Sequence, residues 1–197
     1  MPDATLPVAF VAALEALTSW LETEHVPYTT IGGVAVSLLA QPRATQDIDI
    51  VIWLDQEKWE SLLQAGKAHG FEPRINDALG FAVKSLVLLL RHQRSGVSID
   101  LSCGALPFER EMIARAQILN IGALSLRVPT PEDLIITKAV AQRPKDVADM
   151  ESLLNIHHNL DIAYIRLRVE EFAVALEMPE LMENLERLLH HRPQQST

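Results

Sequence analysis

The sequence predicts an α/β fold, in which a mixed β-sheet is flanked by helices and followed by a C-terminal helical region. Up to residue 128, short apolar runs alternate with helical patterns, and one tight turn between two such runs indicates a hairpin. After residue 129 only helical periodicity remains. We therefore expect one domain over residues 1–128, a helical region packed on it over 129–191, and a disordered tail over 192–197.

Composition favours a folded, acidic protein. The chain has 197 residues, is 48% hydrophobic and 22% charged, and carries a net charge of −9. An acidic surface opposes broad binding of nucleic acids, which depends on Lys and Arg, and is better suited to a cationic small substrate. The single cysteine, Cys103, excludes an intrachain disulfide and a cysteine zinc cluster.

Neither a targeting segment nor a membrane span is expected. The amino terminus lacks a basic segment followed by an apolar one, and the longest apolar run, Leu86–Leu90, is too short to cross a bilayer. We therefore predict a cytoplasmic protein without a membrane partner.

The amino-terminal elements follow from local patterns. Apolar residues at helical spacing predict the first helix, β-rich runs predict the strands, and Asp55 is suited to cap the helix that follows it. The expected elements are a helix over Pro7–Glu24, a strand over Tyr28–Ile31, a helix over Val34–Ala40, a strand over Asp47–Leu54 and a helix over Gln56–His69.

Hairpins and caps predict the remaining elements. Thr130 and Pro131 are typical of a helix start, and the last two segments are amphipathic. The expected elements are a hairpin of Ala82–Arg91 with Val97–Ser102, a helix over Pro107–Ala116, a small hairpin of Ile118–Ile121 with Leu124–Val128, and helices starting at Pro131, Lys145, Asp161 and Pro179.

Two aspartates alternate inside the strand that starts at Asp47. Asp47 and Asp49 share one face of this strand, while Ile48 and Ile50 occupy the other. Two carboxylates on one face repel each other unless a positive charge lies between them. Mg²⁺ is the economical candidate, because it prefers one or two carboxylates completed by substrate phosphates.

A glycine pair precedes the aspartates and indicates a phosphate site. Gly32 and Gly33 follow a short strand and open a helix. Backbone without a Cβ allows close approach of a ligand, and the N–H groups at a helix start attract anions. Arg43 lies between the glycines and the aspartates, where it could hold a triphosphate.

These motifs resemble a known superfamily. Gly-Gly, a short helix and then Arg43-x-Thr45-x-Asp47-x-Asp49 resembles the DNA polymerase β-like nucleotidyltransferases. Gly-Gly-x-Ala with Arg-x-Thr-x-Asp-Ile-Asp is similar to the abortive-infection (AbiEii-type) toxin nucleotidyltransferases. Nucleotidyltransferases that inactivate aminoglycosides or lincosamides also carry Gly-Gly, whereas many members of the superfamily have Gly-Ser, so Gly33 departs from the commoner pattern.

The resemblance implies an active site and its cofactor. Asp47 and Asp49 would bind two Mg²⁺ ions, with Mn²⁺ as a substitute, and Asp100 would complete the metal site from a neighbouring strand. The alternative for Asp100 is a surface residue of an edge strand. The residues expected to hold the phosphates are Gly32, Gly33, Arg43 and Thr45.

A second similarity to the toxin branch lies in the helical region. It implies that Lys138 contacts phosphate and that Asp146 orients the phosphate or the acceptor. The alternative is that both residues are helix-surface charges that complement helix dipoles.

The function expected is transfer of a nucleoside monophosphate from an NTP, such as ATP, to an acceptor hydroxyl. Resemblance to the toxin branch implies a tRNA or protein acceptor and a partner antitoxin. Resemblance to the antibiotic-modifying branch implies a small-molecule acceptor instead. A further alternative is a non-catalytic module that binds a nucleotide or a partner protein.

Overall fold

The structure is a computed structural model and describes residues 6–191. The predicted disordered tail, residues 192–197, lies outside this range. Among the described residues, no helix combines the length and the apolar character needed to span a membrane.

Helices and strands alternate in the first two thirds of the chain. The helices are α1 (Val8–Thr23), α2 (Gly32–Leu39), α3 (Trp59–Ala68), α4 (Ala78–Ser85), α5 (Pro107–Arg115), α6 (Pro131–Ala141), α7 (Pro144–Ile156), α8 (Ile162–Ala175) and α9 (Glu180–His191). The strands are β1 (Tyr28–Ile31), β2 (Asp47–Ile52), β3 (Phe71–Pro73), β4 (Val87–His92), β5 (Ser98–Cys103), β6 (Gln117–Ile121) and β7 (Leu124–Val128).

The chain forms two compact units. The first contains the described residues up to 35 together with 43–129, and the second contains 36–42 together with the residues from 130 onward. The larger part of the second unit begins at residue 130, whereas the sequence predicts a helical region from residue 129. The second unit also contains the last half of α2, which the sequence predicts as part of the first domain. A run of only eight residues in α2 thus belongs partly to each unit.

The first unit is built on a five-stranded sheet with strand order β1-β2-β5-β4-β3. Strands β2 and β5 are parallel, and the other neighbours are antiparallel. The predicted mixed sheet flanked by helices is therefore confirmed, as is the hairpin of β4 with β5.

The two faces of this sheet differ in chemistry. One face is apolar and fully buried, and its residues include Ile48, Ile50, Ile99, Leu101, Leu88 and Leu90. Near it, the ring of Trp20 stacks on that of Phe71 with centroids 5.2 Å apart. A Cβ added at Gly66 would lie 2.6 Å from the indole of Trp20, so only glycine lets α3 approach α1 this closely. The opposite face carries the aspartates.

The strand predicted over Ala82–Arg91 is wrong in its first half. Ala82–Ser85 belong to helix α4, and the strand starts only at Val87. Asp77 caps this helix by accepting a hydrogen bond from the backbone N–H of Gly80 at 3.0 Å, and Leu86 ends it with a φ of 58°. The apolar composition of the segment is typical of a strand, whereas the helix start is set by its N-cap residue.

The second unit is a set of packed helices, α6 to α9, as the sequence predicts for this region. Polar groups join the helices: the hydroxyl of Tyr164 on α8 donates to Asp133 on α6 at 3.1 Å. Arg166 on α8 binds Glu186 on α9 through two contacts of 2.6 and 2.8 Å.

Candidate active site

Strand register brings the three predicted aspartates together. Asp49 on β2 lies directly opposite Asp100 on the parallel strand β5, and Asp47 precedes Asp49 on the same face. Each offers a carboxylate oxygen, and these oxygens all lie within 4.8 Å of one another. All three side chains are half-buried. The expectation that Asp100 faces Asp47 and Asp49 is thus met by the geometry, whereas their catalytic roles stay predictions.

Gly32 lies against the acid cluster of Asp47, Asp49 and Asp100. A Cβ added at Gly32 would be 1.8 Å from Oδ2 of Asp49, which is too short for two atoms that are not bonded to each other. Gly32 also has a φ of +64°, a conformation that side chains with a Cβ rarely adopt. Glycine is therefore required at this position for two reasons: it allows the turn from β1 into α2, and it leaves space for the carboxylate of Asp49.

Gly33, Thr45 and Arg43 form the adjoining wall. A Cβ at Gly33 would lie 2.6 Å from Oγ1 of Thr45 and 3.2 Å from a terminal nitrogen of Arg43. The Thr45 hydroxyl is 3.2 Å from Oδ1 of Asp47 and 3.1 Å from the Asp47 carbonyl oxygen, either of which can accept its proton. Arg43 donates to the carbonyl of Ala44 at 3.2 Å. These predicted phosphate ligands therefore surround one end of the acid cluster.

One contact at the cluster was not predicted from the sequence. Arg74, which follows β3, donates through a terminal nitrogen to Oδ1 of Asp100 and forms an ion pair with it. The backbone N–H of Arg74 is bonded to the carbonyl of Leu89 at 2.9 Å, and Leu89 lies opposite Asp100 in the sheet. Arg74 carries no motif signal. Only the order of the strands brings β3, two positions from β5, within reach of this carboxylate.

The donor set of the acid cluster fits a hard divalent cation. Three converging carboxylates supply only oxygen ligands, which Mg²⁺ and Mn²⁺ prefer over nitrogen or sulfur donors. Like charges directly opposite each other, such as Asp49 and Asp100, destabilise a sheet unless they are compensated. The residues present therefore suit the metal that the sequence motif implies.

Lys138 and Asp146 are brought together in the second unit, but in a buried ion cluster. The Lys138 ammonium lies 2.9 Å from Oδ1 of Asp146 and 2.9 Å from Oδ2 of Asp149. The side chains of Lys138, Asp146 and Asp149 are 4%, 0% and 2% exposed. Arg143 adds bonds from its guanidinium and its backbone N–H to Asp146. The burial contradicts the alternative that both residues are helix-surface charges, because the two side chains form a buried ion cluster instead. A phosphate contact by Lys138 or Asp146 stays a prediction.

The environment of Asp146 determines its acidity. Burial by itself would raise the pKa of this carboxyl, but hydrogen bonds from Arg143 and Lys138 outweigh burial and lower the pKa below its usual value. Asp146 therefore stays ionised inside the helical unit.

Solved structures with similar folds are nucleotidyltransferases. An antigenic nucleotidyltransferase-like protein from Paracoccidioides brasiliensis matches with a TM-score of 0.55 and 19% identity, over 90% of this chain and 91% of that one. The lincosamide antibiotic adenylyltransferase LnuA, solved with lincomycin, matches with a TM-score of 0.52 and 17% identity, over 73% and 96%. ANT(2″)-Ia in complex with adenylyl-2″-tobramycin matches with a TM-score of 0.57 and 15% identity, over 84% and 98%. At these identities the likeness shows a shared fold.

Sequence comparison assigns the family. No curated protein matches this chain. A family model described as "Nucleotidyltransferase of unknown function (DUF6036)" matches residues 9–188, nearly the whole chain. The chain therefore belongs to this nucleotidyltransferase family.

Proposed function

We propose that this protein is a metal-dependent nucleotidyltransferase that moves a nucleoside monophosphate from an NTP to an acceptor hydroxyl. The observation that carries the proposal is the convergence of Asp47, Asp49 and Asp100 beside a glycine without which Asp49 would not fit. Membership of a nucleotidyltransferase family supports the same reaction class.

The acid cluster would hold Mg²⁺ or Mn²⁺ through Asp47, Asp49 and Asp100. Bound at these residues, a divalent cation would supply charge neutralisation for the triphosphate during transfer. The Thr45 hydroxyl, within hydrogen-bond distance of Asp47, restrains this carboxylate toward the cluster.

The start of α2 supports phosphate binding next to the cluster. Gly32 and Gly33 begin α2 beside Asp49 and Thr45, and the helix dipole favours an anion at that position. The guanidinium of Arg43 lies beside Gly33 and adds a fixed positive charge. In phosphoryl-type transfer, positioning and electrostatic stabilisation of this kind supply most of the rate acceleration.

Asp100 is the candidate acceptor of the hydroxyl proton. It is half-buried, forms an ion pair with Arg74 and lies beside Asp47 and Asp49. A general base must lie within hydrogen-bond reach of the proton that it takes, so the position of Asp100 in the acid cluster supports this role.

Two classes of acceptor molecule are proposed. Resemblance to the toxin branch supports a tRNA or protein acceptor, with an antitoxin as a partner. The acidic net charge of −9 and the fold shared with LnuA and ANT(2″)-Ia support a small cationic acceptor that bears a hydroxyl group. For either class, the transferred group comes from the same site.

Calorimetric titration tests the metal–nucleotide site. Each of the four nucleoside triphosphates is titrated into wild type, Asp49→Asn and the control Asp55→Asn, with and without Mg²⁺. Asp55 is an exposed aspartate just after β2 and away from the acid cluster. We expect Mg²⁺-dependent binding to wild type and Asp55→Asn and its loss in Asp49→Asn. Absence of binding to all three proteins contradicts the proposal.

A labelled-nucleotide assay separates the acceptors. The nucleotide that binds is incubated with purified tRNA, with a protein extract or with a panel of aminoglycosides and lincosamides. Label on the small molecules alone selects the antibiotic-type acceptor, whereas label on tRNA or protein selects the toxin-type acceptor. Tight NTP binding without transfer to any of them favours a non-catalytic binding module.

A further inference from the structure

The first unit contains a cavity that the proposed reaction does not use. It has a volume of about 620 Å³ and lies between the end of α1, the start of β1, α5 and β7. Small-molecule sites typically have volumes of about 300–1,000 Å³. The polar and aromatic residues around it are Glu22, His25, Tyr28, Trp53, Arg110 and Arg127.

This cavity is separate from the acid cluster. Tyr28 is the first residue of β1 and pairs with Ile52, whereas Ile31, the last residue of β1, pairs with Asp49. Three residue steps along a strand correspond to roughly 10 Å. A ligand in the cavity therefore lies at the far ends of β1 and β2 from the carboxylates.

Two arginines at the cavity lack carboxylate partners within residues 6–191. Elsewhere in this range, Arg74, Arg143 and Arg166 each form an ion pair with an aspartate or glutamate. Arg110 and Arg127 instead lie over aromatic rings, with Cζ 5.9 Å from the ring centroid of Trp53 and 6.0 Å from that of Tyr28. Glu22 is the acidic residue at the same cavity, so two guanidiniums face one carboxylate there.

The aromatic rings orient the arginines without neutralising them. A cation–π contact attracts a guanidinium through the ring quadrupole and leaves its N–H donors available in the plane. Arg110 is exposed and Arg127 is half-buried, so both can bind a ligand that enters the cavity. A guanidinium matches a carboxylate with two parallel hydrogen bonds.

Glu22 limits the charge of such a ligand. Its carboxylate accepts a hydrogen bond from the hydroxyl of Tyr28 at 3.4 Å. Burial of Tyr28 and the charge of Glu22 raise the pKa of the phenol, so this hydroxyl remains a donor at neutral pH. With one carboxylate beside two guanidiniums, the cavity suits an anion with a single charge better than a polyanion such as a triphosphate.

The remaining wall is apolar. Pro27 and Ala114 line it and are exposed, and Trp53 is half-buried, so a ligand can cover hydrocarbon there while its charged end faces the arginines. We infer that this cavity binds a small organic carboxylate with an apolar body, at a site distinct from the acid cluster.

The test uses two probes that differ in one charge. 1-Naphthoate carries the carboxylate, and 1-naphthol has a similar ring system without a charge at neutral pH. Both are titrated into the wild-type chain by calorimetry. We expect 1-naphthoate to bind about tenfold more tightly than 1-naphthol, because a hydrogen bond to a charged group is stronger than one between neutral groups. Equal affinity of the two probes, or no binding of 1-naphthoate at millimolar concentration, overturns the inference.

Three variants locate the binding site. Arg110→Gln and Arg127→Gln should each weaken 1-naphthoate binding about tenfold. Arg94→Gln is the matched control, because Arg94 is exposed in the turn after β4 and does not line the cavity. If Arg127→Gln melts below wild type, its weaker binding could result from unfolding. The test then depends on Arg110→Gln, because Arg110 is exposed. Wild-type affinity in a folded Arg110→Gln overturns the inference.

A competition experiment separates this site from the proposed reaction. Saturating NTP with Mg²⁺ should leave the affinity for 1-naphthoate unchanged if the two sites are distinct. Displacement of 1-naphthoate by the nucleotide would contradict the inference that the two sites are separate. Because the 1-naphthoate titration is run without metal or nucleotide, it succeeds or fails independently of nucleotidyltransferase activity.

Discussion

Each of the two units contains a cluster of aspartates, and the surroundings of the two clusters differ. In the helical unit, Asp146 and Asp149 are almost completely buried, and Lys138 lies 2.9 Å from both. In the sheet unit, Asp47, Asp49 and Asp100 are half-buried and have their oxygens within 4.8 Å of one another. The first cluster contains its own cation at the centre, whereas carboxylates form the centre of the second.

This difference indicates two kinds of role. Buried charges are tolerated only when they are paired, so the Lys138 cluster contributes to the conformation of the helices. Half-exposed carboxylates that converge repel each other and are stabilised when a cation from solution binds between them. The clusters differ in burial and in the position of the nearest cation: Lys138 contacts both buried aspartates, whereas Arg74 pairs with Asp100.

The largest expected effect is on activity at the acid cluster. Asp49→Asn should lower the rate of nucleotide transfer by about a thousandfold, as expected when a group that stabilises transition-state charge is removed. Its melting temperature without Mg²⁺ should equal or exceed that of wild type, because repulsion within the cluster falls. Radiolabel transfer and thermal unfolding measure the two effects.

Asp55→Asn is the control for this prediction and should match wild type in both measurements. A large drop in the melting temperature of Asp49→Asn would show that the acid cluster, like the buried one, serves stability.

The opposite result is expected for the buried cluster. Lys138→Met should lower the free energy of unfolding by about 3–5 kcal/mol, because it leaves carboxylates buried without their cation. Urea unfolding measures this loss, and Lys145→Met, at an exposed lysine on α7, should have almost no effect.

Lys138→Met also distinguishes a structural role of this lysine from a phosphate contact. A Lys138→Met variant that keeps the stability of wild type and loses NTP binding would make this lysine a phosphate ligand, as the resemblance implies.

Gly32→Ala should disturb the acid cluster with a moderate effect. The substitution forces a Cβ into a position 1.8 Å from Asp49 and strains a φ of +64°. Gly122→Ala is the matched control, because Gly122 has a φ of +60° and nothing within 4 Å of an added Cβ. Both variants should lose about 1–2 kcal/mol of stability through strain.

Mn²⁺ binding, measured by electron paramagnetic resonance, separates the two glycine variants. Only Gly32→Ala should bind Mn²⁺ more weakly, because only there does the carboxylate have to move. Equal Mn²⁺ affinity in both variants would exclude Gly32 as part of the metal site.

A smaller effect is expected at Arg74. Arg74→Gln removes the positive charge bound to Asp100, so Mn²⁺ should bind about fivefold more tightly, equivalent to about 1 kcal/mol. Transfer activity should fall at the same time, because Asp100 loses the contact that orients it. Arg94→Gln should change neither quantity, and weaker Mn²⁺ binding by Arg74→Gln would mean that orientation outweighs charge.

The smallest effect is a change in how the stability of the buried cluster depends on pH below about 4. Because the pKa of Asp146 is lowered in the folded state, its contribution to stability is complete above the unfolded pKa of about 3.9 and is lost as the pH falls through the folded pKa. Asp146→Asn should therefore be less stable than wild type at pH 7 and show a flatter loss of stability below pH 4. Urea unfolding between pH 2 and 7 measures the stability of wild type and of Asp146→Asn. An equal loss of stability below pH 4 in the two proteins would contradict a lowered pKa of Asp146.

Local sequence was sufficient for much of the fold. Alternating polarity in Asp47–Ile52 indicated which residues share a face, and Thr130 with Pro131 indicated the start of α6. It failed at Ala82–Ser85, where an apolar run is helical because Asp77 caps it and its packed neighbours bury Ala82. Local propensity is a weak guide where tertiary contacts determine the outcome.

The candidate site divides in the same way. Its motif residues Gly32, Gly33, Asp47 and Asp49 lie within 18 positions of one another, so their pattern alone predicts a metal and phosphate site. The pairing of Asp49 with Asp100, the ion pair of Arg74, and the buried position of Lys138 depend on the order of strands and the packing of helices. Those contacts join residues far apart in the chain. Only the tertiary structure could decide them, because their free energies depend on burial and distance that no local pattern encodes.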